Sequence, residues 1–121
     1  MDENIQKILL VIYKEQLFDA RIELQLNANK EEEYKRLHDR VVEVRRKIAR
    51  AKVGNYTPKE LLEELLEQMD IANMKELEYK DDAKKVKEIK KRKSSLKKAI
   101  EQTIIEISKT EDITERGIKL W

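Results

Sequence analysis

The chain has 121 residues, 43% of them charged and 40% hydrophobic, with two glycines, one proline and no cysteine. That length allows one domain at most, so little turn chemistry excludes a sheet protein, and the lack of cysteine excludes disulfides, thiol chemistry and cysteine-ligated zinc. With 27 Lys and Arg against 25 Asp and Glu the net charge is only +2, so any strongly basic surface must be local.

The composition is that of long helices or coiled coil, and it is too apolar for a simple disordered chain. No Gly or Pro occurs from Asp2 to Val53. The first segment, residues 3–53, therefore reads as helix. Leu10, Tyr13, Leu17, Ala20 and Leu24 follow a 3–4 spacing, and Tyr34, Leu37, Val41, Val44, Ile48 and Ala51 resume it. Such a stripe indicates coiled-coil-like packing. Its phase changes around residues 27–33, which is either a stutter in one helix or a turn between two. The longest apolar run, Ile8 to Tyr13, is six residues. That is far short of a membrane span, and Asp2 and Glu3 before it are unlike a signal peptide. A soluble, cytoplasmic protein is expected, with no membrane partner.

The clearest boundary is Gly54-Asn55-Tyr56-Thr57-Pro58. Gly54 suits the left-handed residue after a helix. Thr57 suits an N-cap, Pro58 the first helical position, and Glu60 completes a capping box. The second segment, residues 58–110, carries Leu62, Leu65, Met69 and Ala72, then Val86, Ile89, Lys93, Leu96, Ile100, Thr103 and Ile107 at helical spacing. Its phase also changes, near residues 79–83. A faint repeat links the halves. Lys7, Leu9, Leu10, Glu15, Gln16 and Ala20 align with Lys59, Leu61, Leu62, Glu67, Gln68 and Ala72 at an offset of 52. The alternative is that two amphipathic helices built from few residue types look alike.

Folding the chain back at Gly54 would place Ile48 opposite Leu62, Val41 opposite Met69 and Leu10 opposite Ile100. Arg40, Arg45, Arg46 and Arg50 would then face Glu60, Glu63, Glu64 and Glu67, as charge pairing of antiparallel helices favours. Nothing at Asn27 or Asp81 compels a turn. The fold expected first is therefore an all-α antiparallel hairpin of two long amphipathic helices. Helices of about 50 residues would run roughly 75 Å at 1.5 Å per residue. Breaks near 27–33 and 79–83 would instead give a compact four-helix bundle. Either form would be a single domain over residues 1–110, with residues 111–121 as a C-terminal capped turn and apolar tail. The capping box there is Asp112-Ile113-Thr114-Glu115, with Gly117 as a stop. Ile118, Leu120 and Trp121 pack on the bundle end or dock a partner. Apolar residues off the seam, among them Ile8, Phe18, Ile22 and Ile105, point to a second buried face. Self-association is expected, a dimer foremost.

The strongest local charge lies between Lys84 and Lys98. Lys84, Lys85, Lys87, Lys90, Lys91, Arg92, Lys93, Lys97 and Lys98 stand against Glu88 alone. A phosphate backbone rewards such a stripe through counterion release; an acidic partner would also fit, and the alternative is a solvated face. No aromatic residue, Asn or Gln is interleaved, so base-specific contacts are not expected. Lys93 falls on the seam, where one polar residue can set register. His38 is the only histidine. Without a second ligand of its kind it makes no metal site, and no nucleophile pattern surrounds it. No catalytic, cofactor-binding or metal-binding residues are expected.

Two partial resemblances stand beside this reading. Glu64 and Glu67, then Glu78 and Asp81, resemble the ExxE and ExxD pairs of all-helical nucleotide pyrophosphatases, which would imply Mg²⁺. Glu15 to Arg21 and Val44 to Lys52 resemble a two-helix bacterial large-subunit ribosomal protein, which would imply ribosomal RNA binding. That likeness covers less than half the chain, and residues 31–33 depart from it by being acidic. The function expected is that of a non-enzymatic helical interaction protein, a scaffold, adaptor or inhibitor with an unknown protein partner. The alternative is a nucleic-acid or ribosome-associated protein using the basic face.

Overall fold

The computed structural model describes the backbone of residues 2–119 and the side chains of residues 2–109. The expected C-terminal cap and the tail residues Ile118, Leu120 and Trp121 lie outside the described side chains. The described residues are all-helical and form four helices, α1 (Glu3–Leu26), α2 (Glu31–Val53), α3 (Pro58–Glu78) and α4 (Ala83–Lys119). Both midpoint breaks are realised as turns, so each long segment is a pair of helices. α1 packs on α2 and α3 on α4. The chain divides into two compact units, residues 1–55 and 56–121.

Local chemistry sets the helix ends. Asp2 caps α1, its Oδ1 accepting from the backbone N–H groups of Asn4 and Ile5 at 2.8 and 3.2 Å. At the other end the Asn27 side chain donates to the Glu23 carbonyl at 2.8 Å. The Asp2 bonds occupy N–H groups that a helix start leaves without partners, and the Glu23 carbonyl also accepts from the Asn27 N–H at 3.1 Å. α1 ends at Asn27 without any Gly or Pro. Asp82 does the converse for α4, accepting from the Lys85 N–H at 3.2 Å. Gly54 ends α2 at φ 73°, ψ 24°, a conformation that costs L-residues about 1–2 kcal/mol. The capping box of Thr57 and Glu60 is formed in both directions, at 3.2 and 3.1 Å.

The first unit is a hairpin sealed by Leu9, Tyr13 and Ala20 of α1 with Leu37, Val41, Val44 and Ala51 of α2, all buried. Gln6 fastens its open end. Its amide donates to the carbonyls of Ala51 and Lys52 at 2.8 and 3.0 Å, supplying donors to the end of α2. In the second unit Leu61, Leu65 and Ala72 of α3 are buried, as are Leu96, Ala99 and Thr103 of α4. The Thr103 hydroxyl donates to the Ala99 carbonyl at 2.8 Å, so its polar atom is satisfied inside the seam.

The two hairpins repeat one pattern. α1 and α3 end 52 residues apart, at Leu26 and Glu78, and α2 and α4 begin 52 apart, at Glu31 and Ala83. The turns share part of their backbone bonding. Lys30 N–H donates to the Asn27 carbonyl at 3.0 Å, and Asp82 N–H to the Tyr79 carbonyl at 2.8 Å. Buried positions coincide as well: Leu9 with Leu61, Tyr13 with Leu65, Gln16 with Gln68, Ala20 with Ala72, Val44 with Leu96, Ala51 with Thr103. The likeness thus extends from residue type to helix ends, three turn hydrogen bonds and the buried glutamines. One difference has a direct cause. Glu106 stands where the first unit has Gly54, and α4 continues where α2 stops.

Gly54→Ala should lower unfolding free energy by about 1–2 kcal/mol in chemical denaturation, and Gly54→Asn by less. Equal and negligible losses from both would show that the left-handed residue does not hold this boundary.

Candidate binding surfaces

Helix α4 presents the basic stretch on its outer side. Lys84, Lys87, Lys90, Lys91, Lys97 and Lys98 are exposed, whereas Arg92 is half-buried. Leu96, Ala99 and Thr103 turn the opposite side of the helix into the seam. At the start of the face the Lys85 ammonium sits 4.1 Å from the centroid of the Tyr79 ring, a cation–π contact.

Lys93 lies at the seam edge, as its place in the stripe implies. Its ammonium pairs with Glu76 of α3 at 2.9 Å, both side chains being about 30% exposed. The hydrogen bond from Lys93 holds the Glu76 carboxyl below its ordinary range; partial burial opposes this, and the charges of Lys93 and Lys90 add to it. Glu76 was not legible as a site residue before the Tyr79–Asp82 turn was known, because only that turn brings it to Lys93. The signal for it is Lys93 itself, a cation in an apolar stripe that requires a partner.

Beside this pair runs an open groove of about 320 Å³, lined by Met69, Glu76, Lys90, Lys93, Ser94 and Lys97. Its lysines are donors only. Among the described residues Lys93 is the groove cation held in an ion pair. The groove therefore offers ammonium groups and a hydroxyl beside an apolar thioether, a setting suited to an anion.

A second surface lies on α1. Val11 is 52% exposed, Phe18 65%, Ile22 41% and Leu26 78%. Their spacing of seven, four and four places them along one face of the helix, well round from Leu9, Tyr13 and Ala20. Lys7, Lys14 and Arg21 line one flank, each seven residues from the next, and Asp19 and Glu23 line the other. Helix α3 carries a sparser outward set in Leu66, Met74 and Leu77.

The remaining candidates are quickly placed. His38 is exposed and stacks against Tyr34, ring centroids 6.4 Å apart. Among the described residues no group of three or more His, Asp or Glu side chains converges as a metal site; Glu64 instead accepts a hydrogen bond from Gln68 at 3.4 Å. Among them, too, no helix is long and apolar enough to cross a membrane. No family model, curated protein or solved structure matches the chain.

The Glu76–Lys93 pair carries a pH signature. A carboxyl lowered in the folded state adds stability above the unfolded value, near pH 4.3, and loses it as pH falls through the folded value. Glu76→Gln should therefore melt below the parent at neutral pH, with the gap closing as pH drops below about 4. A gap that stays constant into acid would mean the pair contributes no pH-linked stability.

Proposed function

We propose that this is a non-enzymatic helical interaction protein that self-associates through the outer face of α1. The observation carrying this is the line of Val11, Phe18, Ile22 and Leu26, exposed on a helix whose other face already holds the hairpin seam. Isolated surface apolar residues are ordinary, but a contiguous stripe marks an interaction surface. A second copy is the occupant favoured by charge. Val11 and Phe18 occupy one heptad position and Ile8, Glu15 and Ile22 the other, so that Lys7, Lys14 and Arg21 fall on the g flank and Asp19 on the e flank. Parallel helices bring g of one chain against e of its partner, Lys14 facing Asp19. Antiparallel helices would set the basic flank against itself. The reading is thus a parallel dimer seam, with Glu15 as the polar residue that sets its register. Scaffold, adaptor or inhibitor roles would build on that assembly in the cytoplasm.

A second reading has its own support. The exposed lysines of α4 suit a nucleic-acid backbone held without base selection.

Phe18→Glu combined with Ile22→Glu should convert the dimer to monomer in sedimentation velocity at tens of micromolar, with helical content unchanged because both residues are exposed. A parent chain that stays monomeric at that concentration would remove the reading. Orientation has a separate check. Lys14→Glu should weaken the dimer, by up to about 1 kcal/mol, and adding Asp19→Lys should restore it. Absence of rescue would exclude the parallel arrangement.

A further inference from the structure

We propose that the groove between α3 and α4 is a phosphate site, and that it seats the backbone of a nucleic acid lying along the basic face of α4. This rests on the second reading above and gives that face a specific point of contact.

The first argument is the repeat, which lets each hairpin act as a reference for the other. Shifted by 52 residues, the groove positions Met69, Glu76, Lys93 and Ser94 correspond to Leu17, Leu24, Val41 and Val42. The first unit closes the same hairpin with apolar residues at these places, and Val41 is 5% exposed there. The hairpin therefore does not need the Glu76–Lys93 pair. An ion pair at a seam edge is in general no more stabilising than apolar residues of similar size. The polar set in the second unit is better explained by a ligand than by the fold.

The second argument is geometry. Glu76 engages Lys93 at 2.9 Å and so fixes one wall. Lys90, Ser94 and Lys97 follow at intervals of four and three residues, on one side of α4. Lys90 and Lys97 are about 10 Å apart along the axis at 1.5 Å per residue. That separation gives two cationic points with a hydroxyl donor between them. Three lysines against one glutamate leave the groove with two excess positive charges, and Met69 offers an apolar contact for a sugar. The groove is open, and Lys87, Lys91 and Lys98 continue the charge along the helix outside it. An extended polyanion uses both features, whereas an isolated phosphate would use only the groove.

The test is anisotropy of a labelled twelve-nucleotide oligouridylate with the full chain, at about 20 mM salt and across a salt titration. Two variants each lose two charges: Lys90→Gln with Lys97→Gln inside the groove, and Lys84→Gln with Lys98→Gln outside it. Circular dichroism and melting confirm that both fold. The groove pair should weaken binding about ten-fold more than the outer pair, although both lose equal charge. Ser94→Val, which restores the first unit's residue, should weaken binding with the salt slope unchanged. Equal losses from the two pairs would overturn the site and leave the second reading standing. No binding by the parent chain at low salt would remove both. Inorganic phosphate or uridine monophosphate binding as tightly as the oligomer would overturn the polyanion assignment. Equal competition by poly-glutamate would overturn phosphate recognition in favour of an acidic protein surface.

Discussion

A hairpin of two helices can bury only one stripe of each, and the other properties of this protein depend on that limit. In the first unit the stripe is Leu9, Tyr13 and Ala20 against Leu37, Val41 and Val44; in the second it is Leu61, Leu65 and Ala72 against Leu96 and Ala99. Apolar side chains beyond those stripes have no interior to enter within their own hairpin. Val11, Phe18 and Ile22 are exposed for this reason. The seams are not wholly apolar. Gln16 and Gln68 are buried at matching places, and among the described residues no buried side-chain nitrogen or oxygen lacks a partner. An unsatisfied amide there would cost about 1–3 kcal/mol.

Two copies of one hairpin also separate what the fold requires from what it permits. Both hairpins share the Lys30–Asn27 and Asp82–Tyr79 turn bonds and bury Leu9/Leu61, Tyr13/Leu65, Gln16/Gln68, Ala20/Ala72, Val44/Leu96 and Ala51/Thr103. The units differ on their outer faces and at the seam edges. The first has Phe18 and Val11 where the second has Asp70 and Glu63, and the second has Lys90 and Lys93 where the first has His38 and Val41. At these places the first unit is the more apolar and the second the more charged.

Much of this was visible in the residues. Gly54, Thr57, Pro58 and Glu60 specified a helix end and a helix start, because left-handed and capping positions tolerate few residue types. The stripe positions Leu37, Val41, Val44 and Leu96 are buried as their periodicity implies. Other positions were less legible. Leu10, Leu17 and Leu24 are only half-buried, while Leu9 and Ile12 are buried. Residues one apart on an apolar-rich helix both fit a 3–4 pattern, and only the partner helix selects between them. The midpoint turns were harder still. α1 ends at Asn27, and asparagine is compatible with helix as well as with its end.

The sequence by itself determined that the chain is helical, where its central boundary falls and where its cations concentrate. These follow from residue type, local spacing and capping, each acting within a few positions. Only the tertiary structure decided that α1 pairs with α2 and α3 with α4. Apolar stripes are compatible both with pairing about Gly54 and with pairing about Asn27–Lys30 and Tyr79–Asp82, and periodicity contains no information on which stripe meets which. The turns form the pairs α1 with α2 and α3 with α4. They brought Glu76 to Lys93 and opened the groove beside Lys90 and Lys97, a juxtaposition of residues separated by up to 28 positions that no local pattern could encode.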